Sequence, residues 1–445
     1  MDTIAAIATP PGRGAISMVR VSGPHALQIG ERVFEGRKRI RDFPPGTFHH
    51  GFILDPDTGR KLDEVVVLVY HAPHSFTGED MLEITTHGGL IPARRVLRAL
   101  IKAGARMAEP GEFTRRAMLN GKMDLIQAES LLDLIDAKTE ACADVALKNL
   151  TGELSERIKK IREKLLEVSM ELELSLDFTD QDLIFPSHEK IKKTLEELSQ
   201  EIKEMIERWN RGRMLMEGMR IVITGKPNVG KSTLFNALLS EEKAIVTEEP
   251  GTTRDVLEGW IEIEGFPVKV FDTAGLRPAE GKVEKIGIER AKRVLESADL
   301  VLFVVDGSQE LSQEDMEIYE EIKEKQHLII INKCDLGCRI KEFPGGLRIS
   351  ALTHEGMDRL HEEIKKLLNP EELGDILITH ERHYNALRTA LQYIEEAEKG
   401  VEEGRGEELI AEDVKFARET LSSLVGEITS EEILDEIFSN FCIGK

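Results

Sequence analysis

Four short motifs in this 445-residue chain have the residue types and the order needed to hold a nucleoside triphosphate. GKPNVGKS, residues 225–232, fits G-x-x-x-x-G-K-[ST] between an apolar run, RIVIT, and a helix-forming one, TLFNALL. Such a turn bares backbone N–H groups toward phosphates, and the helix behind it adds the positive end of its dipole. Gly225, Asn228, Val229, Gly230, Lys231, Ser232 and Thr233 are therefore expected at the phosphates. Lys231 would supply a cation to the β/γ oxygens and Ser232 a hydroxyl to Mg²⁺. NKCD contributes Asn332, Lys333 and Asp335. A carboxylate only accepts hydrogen bonds, so Asp335 matches the N1–H and 2-amino donors of guanine, a pair that adenine lacks. Ser350, Ala351 and Leu352 are expected to bring a backbone contact to the guanine oxygen. The nucleotide read in this way is GTP.

Two further loops would face the third phosphate. In DTAG, Asp272 is expected to reach Mg²⁺ through water, with Thr273 and Ala274 following and Gly275 letting the backbone approach the γ-phosphate. AIVTEEPGTTRD, residues 244–255, lies between the motifs and reads as switch I, with Thr247, Glu248, Glu249, Pro250, Gly251, Thr252 and Thr253 near the nucleotide. Thr253 or Thr252 would complete the Mg²⁺ shell. The residue after DTAG raises a difficulty. Ras-type enzymes place there the glutamine that orients the attacking water. This chain has Leu276, which has no polar atom to offer. No arginine is obviously placed as a finger, Arg254 and Arg277 being the candidates, yet charge on the transferring group still needs neutralising. The Asn228 carbonyl oxygen, with switch I carbonyls, can hold a monovalent cation where a finger would lie.

The elements that must position these loops are legible in the periodicity. From Arg220 onward apolar runs (RIVITG, VKVFDTAG, LVLFVVD, HLIIINKCD, LRIS) alternate with helical stretches, the pattern of a doubly wound α/β domain ending near residues 369–375. Residues 1–118 mix β-rich runs (DEVVVLVYHAP, MLEITTHG) with amphipathic IPARRVLRALIKAG, which reads as α+β. Leu154, Ile158, Ile161, Leu165, Val168 and Leu172, then Ile191, Leu195, Leu198, Ile202, Met205 and Trp209, predict two long helices with a narrow apolar seam. Helical periodicity returns at Tyr384, Leu387, Leu391 and Ile394. The simplest arrangement inserts the α/β domain into a helical domain built from both flanks.

Bulk composition narrows the setting. The net charge is −23, and residues 1–118 carry 16 Lys and Arg against 13 Asp and Glu, so the acidic excess lies beyond them. Such a body repels a phosphate backbone, and an RNA role would need a local basic patch or a basic partner. No run of 18 apolar residues and no basic, apolar leader are present, so neither a membrane span nor a signal peptide is expected. Four scattered cysteines, Cys142, Cys334, Cys338 and Cys442, predict a reducing cytoplasm. Cys334 and Cys338 lack the second pair of ligands that a metal site would need.

Over its full length the chain resembles the MnmE (TrmE) family of tRNA-modification GTPases. The resemblance is carried by ATPPGRGAISMVRVSG, SFTGEDMLEITTHGG, GEFTRRAMLNGKMDLIQAE, PGTTRD, DTAGLR and the terminal FCIGK, in that order. It implies a multidomain protein: an N-terminal α+β tetrahydrofolate-binding and dimerisation domain over 1–118, an α-helical domain from two chain segments, 119–213 and 372–445, and an inserted Ras-like α/β P-loop GTPase domain over 214–371. The activity implied is potassium-stimulated GTP hydrolysis. With the flavoprotein MnmG, in a heterotetrameric or larger complex, a homodimer would install an aminomethyl-type (carboxymethylaminomethyl) group at C5 of the wobble uridine of certain tRNAs. The one-carbon unit would come from tetrahydrofolate in its 5-formyl or methylene form, and tRNA would be held largely through the partner.

Carried over by residue, the resemblance puts folate contacts at Arg20, Glu83, Lys122 and Lys445, with Glu79 a rival to Glu83. It puts K⁺ ligands at Asn228, Thr247, Glu249 and Thr252, and Mg²⁺ ligands at Ser232 and Thr253. It answers the water problem with Glu284, eight residues beyond Leu276, acting through a bridging water. Among Lys282, Lys285 and Glu289 the same residue also reads as an exposed salt-bridge partner. Terminal residues usually fray. A capping box from Thr429 to Glu432 nonetheless predicts a helix through ILDEIF that delivers Cys442 to a defined place, for chemistry or for packing. Two rival functions are a ribosome-assembly or signalling GTPase without modification chemistry, and a folate-dependent transferase with a regulatory GTPase.

Overall fold

The computed structural model describes residues 2–177, 188–241, 243–244, 257–272, 292–340, 343–370, 378–428 and 430–445. They form two compact units, Met1–Leu132 with Leu421–Lys445, and Asp133–Thr420.

Alternation builds the first unit. In KLDEVVVLVY, Val65, Val67 and Val69 are buried while Val66, Leu68 and Tyr70 keep partial exposure, the period-two signature of a strand covered on one face. Seven strands make one sheet: β1 (Ile4–Ile7), β2 (Ile16–Ser22), β3 (Phe34–Gly36), β4 (Thr47–Leu54), β5 (Lys61–Tyr70), β6 (Met81–His87) and β7 (Arg106–Met107). Their order is β3-β4-β5-β6-β2-β1-β7, antiparallel except where β1 meets β7. The helices Ala26–Val33 and Leu90–Lys102 supply Ile29, Val33, Val96 and Leu100 to the core that Val19, Val21, Leu82 and Ile84 share. The register pairs Arg20 with Glu83 and Leu68 with Glu83, which aims all three away from that core.

The chain's last residues, Leu421–Lys445, fall in this compact unit. The reason is a small apolar cluster in which Phe438 and Phe441, 3% and 4% exposed, pack with Ala128. The helix leading there is Glu431–Ser439, and its N-cap is Ser430, whose hydroxyl accepts from the Ile433 N–H. The cap therefore falls one residue after the expected Thr429, which lies outside the described residues.

The second unit holds the doubly wound sheet. Its strands are β8 (Met219–Thr224), β9 (Lys243–Ala244), β10 (Leu257–Ile263), β11 (Phe266–Asp272), β12 (Leu300–Asp306), β13 (His327–Asn332) and β14 (Leu347–Arg348), ordered β14-β13-β12-β8-β11-β10-β9. β10 runs antiparallel to both its neighbours, and the remaining pairs are parallel. Burial on both faces explains the unbroken apolar run of β12, in which every residue but Asp306 is buried.

In the helix Glu153–Asp177 the seam residues Leu154, Ile158, Ile161, Leu165 and Leu172 are fully buried. The second expected helix ends at Glu207, and Trp209 opens a separate one, Trp209–Glu217, where it stacks on Tyr384 at 5.3 Å. His188–Glu207 meets Glu153–Asp177 through Arg157–Glu201 at 3.0 Å and Glu381–Glu403 through Lys203–Glu395 at 2.8 Å. Exposed or half-exposed pairs of this kind contribute ~0–1 kcal/mol. Burying one leucine contributes roughly 1.5–3 kcal/mol, so the apolar seam holds these helices together. Cys142 and Val145 of the helix Glu140–Leu150 share a core with Ile221, Ile223 and Val268, which seats that helix on the α/β sheet.

Candidate functional sites

The guanine-nucleotide motifs gather at the carboxyl ends of the parallel strands, where ligands bind in open α/β sheets. GKPNVGKS follows β8, Asp272 ends β11, Asp306 ends β12, Asn332 ends β13, and Ser350 lies just beyond β14. Glycine is demanded at two positions of the phosphate loop. Gly225 has φ +144° and a Cβ there would stand 2.2 Å from the Val304 carbonyl oxygen. Gly230 has φ +98° and a Cβ there would stand 2.3 Å from Asn332 Nδ2. The backbone is thus bare where it must approach phosphates, and the helix Lys231–Glu241 starts at that point. Lys231 is 7% exposed, with Nζ donating to the carbonyls of Gly225 at 2.9 Å and Lys226 at 2.6 Å. Ser232 Oγ donates to Asp272 Oδ2 at 2.6 Å, placing two hard oxygen donors together as Mg²⁺ requires.

The base-reading segment is tied to the phosphate loop. Asn332 Nδ2 donates to the Val229 carbonyl and its Oδ1 accepts from the Ala351 N–H, both at 2.9 Å, so one side chain joins three loops. Lys333 Nζ donates to the Asn228 carbonyl and to Asp306 Oδ2, both at 2.6 Å. Asn228 and Lys333 both hold φ of 63°, in the left-handed region that asparagine tolerates but lysine seldom adopts. Burial works to raise the pKa of Asp306, but hydrogen bonds from Lys333 and Ser308 outweigh it and hold the carboxyl below its ordinary value. Asp335 lies in the turn Cys334–Leu336 and is exposed, as is Leu352. Thr247, Glu248, Glu249, Pro250, Gly251, Thr252, Thr253, Arg254, Thr273, Ala274, Gly275, Leu276, Arg277 and Glu284 lie outside the described residues.

A second cluster occupies the open face of the first unit's sheet. Arg20 Nε donates to Glu83 Oε1 at 2.8 Å, and the Tyr70 hydroxyl donates to Glu83 Oε2 at 3.2 Å. Glu83 is 8% exposed, so both its oxygens need such partners. Arg20 Nη1 donates to the Gly444 carbonyl at 3.3 Å, and its guanidinium lies 5.6 Å from the centre of the Phe76 ring. The tail is pinned by the Phe113 N–H donating to the Lys445 carbonyl at 3.1 Å and by a bridge from Ile443 to Pro110. Gly444 has φ +100° and a Cβ there would stand 2.5 Å from the Ile7 carbonyl oxygen, so the terminal G-K requires its glycine. Burial, then the charge of Arg20, pushes the Lys445 ammonium below the ordinary lysine value.

Arg20, Glu83 and Lys445 therefore converge. Lys122 does not join them: it is exposed, and its Nζ donates to the Pro73 carbonyl at 3.2 Å, on the loop that carries Phe76. Cys442 is exposed and carries a free thiol. Glu79 is engaged elsewhere, accepting from Ser22 Oγ at 2.7 Å and Arg116 Nη1 at 3.2 Å. Tyr70, Arg116 and Asp306 were not anticipated. Tyr70 and Asp306 each end an apolar run with a polar group, a signal that marks strand ends facing a site.

Two family models match the chain. One, described as the N-terminus of the GTP-binding protein TrmE, covers residues 3–122, and the other, the MnmE helical domain, spans residues 125–442. Full-length similarity extends to proteins named tRNA modification GTPase MnmE. That of Aquifex aeolicus is 45% identical over 451 residues, with 100% of both chains covered. That of Natranaerobius thermophilus is 42% identical over 456 residues, covering 100% of this chain and 99% of the relative. Among solved structures, Aquifex aeolicus Era bound to GDP·AlF4⁻ is 32% identical over 33% of this chain and 55% of its own, with a TM-score of 0.26. The G domain of the T. maritima FeoB iron transporter is 26% identical over 33% of this chain and 97% of its own, with a TM-score of 0.25.

Proposed function

The chain belongs to the MnmE (TrmE) family of tRNA-modification GTPases, and from that premise we propose how this GTP hydrolase takes part in tRNA modification. It is stimulated by K⁺ and acts as a homodimer in the cytoplasm with the flavoprotein MnmG. Together they install an aminomethyl-type group at C5 of the wobble uridine of certain tRNAs. Bound tetrahydrofolate supplies the one-carbon unit.

Each role falls to residues named above. Lys231 neutralises the β/γ oxygens, and Ser232, with Asp272 behind it, holds Mg²⁺ together with Thr253. Asp335 selects guanine. Asn228, Thr247, Glu249 and Thr252 hold K⁺ in place of an arginine finger, and Glu284 orders the attacking water. Arg20, Glu83, Lys122 and Lys445 bind the folate, with Glu83 facing the pterin edge. Glu79 remains the rival, its carboxylate engaged by Ser22 and Arg116 as that of Glu83 is by Arg20 and Tyr70.

The observation that best supports this reading is the return of the FCIGK tail to Arg20 beside Glu83. A ribosome-assembly or signalling switch has no use for such a cluster. The test is a nucleoside analysis of tRNA from cells lacking the protein and from cells complemented with it. Loss of the C5-substituted wobble uridine, restored on complementation, is expected. An unchanged nucleoside profile would overturn the proposal in favour of a switch.

A further inference from the structure

The sequence is too acidic to hold RNA with its whole surface, but one loop runs against that trend. EGRKRIR, residues 35–41, leaves β3 and enters a short turn, Ile40–Asp42. Ile40 is 1% exposed and Phe43 is 4% exposed, with Phe43 stacked on His49 at 3.3 Å. These plugs fix the loop while Arg37, Lys38, Arg39 and Arg41 remain exposed. Acids already answer two of the nearby cations: Glu31 accepts from Arg41 Nε at 2.6 Å, and Glu35 pairs with Lys61 at 2.9 Å. Arg37, Lys38 and Arg39 have no carboxylate within ion-pair distance among the described residues. They border a surface cavity of about 500 Å³ that Glu31, Glu35, Phe34 and Leu54 also line.

Three adjacent cations without a direct ion-pair partner, outnumbering the Glu31 and Glu35 carboxylates beside them, present a dense positive surface on an anchored loop. Charge more than about 8 Å away is largely screened at physiological ionic strength, so the distant acidic excess does little to cancel it. We propose that Arg37, Lys38 and Arg39 form a phosphate-backbone contact for the tRNA substrate, made by this chain itself in addition to any contact through its partner. The assignment rests on the tRNA-modification reading. Lysine and arginine on an exposed loop suit sequence-independent phosphate binding, in which contacts position rather than specify.

The test uses the full chain and an unmodified tRNA transcript with a wobble uridine, titrated by fluorescence anisotropy from 50 to 200 mM salt, as order-of-magnitude limits of the sensitive range. Each phosphate contact contributes roughly 0.7–0.9 to the slope of log affinity against log salt. Arg37→Ala/Lys38→Ala/Arg39→Ala should lower that slope by about 2 and weaken binding at least about tenfold at low salt. Arg37→Lys/Arg39→Lys should keep the slope, and GTP hydrolysis should be unchanged in both. An unaltered slope in the triple-alanine variant overturns the assignment. So does a triple variant that loses binding to anionic vesicles or to the flavoprotein while its tRNA slope stays intact. Wobble-uridine modification by the wild-type chain is scored separately. Its absence brings down the proposed function, whereas its presence beside an unaltered slope brings down the loop assignment alone.

Discussion

The Gly444 carbonyl accepts a hydrogen bond from Arg20 at 3.3 Å, although the two residues lie at opposite ends of the chain. Arg20 in turn holds Glu83 at 2.8 Å, so the terminal residues act as one wall of the cluster on the open face of the sheet. Removing residues 442–445 would take away that wall and the Lys445 ammonium while leaving every group of the nucleotide site in place. The truncated protein should therefore hydrolyse GTP at the normal rate and lose binding of 5-formyltetrahydrofolate. Calorimetry with the folate and a phosphate-release assay check both halves. Undiminished folate affinity would remove the tail from the site.

Base selection should respond to a single atom. Asp335→Asn turns one acceptor oxygen into a donor facing the guanine 2-amino group. Mismatching a buried hydrogen-bond pair costs roughly 1–3 kcal/mol for a neutral group and more for a charged one, or about tenfold to several hundredfold in affinity. GTP binding should weaken accordingly while xanthosine triphosphate gains. Equal GTP affinity in the two proteins would mean that NKCD does not read the base.

Motifs whose chemistry is local were legible before any fold was known. The phosphate loop needs its glycines and lysine at fixed spacing, and Gly225 and Gly230 sit where a Cβ would strike Val304 and Asn332. Contacts that depend on register or on tertiary packing were not. Tyr70 reaches Glu83 only because β5 and β6 pair with Leu68 opposite Glu83, and Asp306 meets Lys333 only because β12 and β13 run side by side. The seam through Trp209 was continuous in periodicity, yet the helix breaks after Glu207 and Trp209 turns to Tyr384. Periodicity records which side chains are apolar, not whether the backbone between them stays helical.

Potassium dependence should be lost at Asn228. K⁺ is the larger of the two common monovalent cations, so oxygens spaced for it hold Na⁺ less well. Hydrolysis by the intact protein should be faster in K⁺ than in Na⁺, and Asn228→Ala should remove the difference. Its main-chain oxygen would still accept from Lys333, and Asn228→Gly, which tolerates the φ of 63° held there, should give the same loss. Equal rates in the two salts for the wild-type protein would refute a potassium site.

Cys334 supplies a pH test. Burial, with the neighbouring Cys338 adding to it, pushes this thiol up from an ordinary 9.0 to about 11. The folded state thus keeps the proton after the unfolded chain has lost it. This contribution to stability is complete below pH 9.0 and disappears as pH rises toward about 11. Wild-type protein should lose stability across that window relative to Cys334→Ser, measured by urea unfolding. Iodoacetamide at neutral pH should label Cys338 and Cys442, which are exposed, well before Cys334. Labelling of Cys334 first would show that its thiol is not protected.

The water remains the sharpest test, because Leu276 cannot hold it and Glu284 is the group assigned to do so. A carboxylate acting through a bridging water makes little contact with GTP in the ground state. Glu284→Ala should therefore lower kcat and kcat/KM together, by about 10²–10⁴-fold, with GTP affinity little changed. Domain pairing in K⁺ with a transition-state mimic should persist, since Asn228 and switch I are untouched. Leu276→Gln should not rescue Glu284→Ala, because an apolar side chain at that position would pack away from the nucleotide. Rapid-quench measurement of a single turnover separates the chemical step from release. A normal single-turnover rate in Glu284→Ala would transfer the role to the remaining polar candidates near the loop, Arg254 and Arg277.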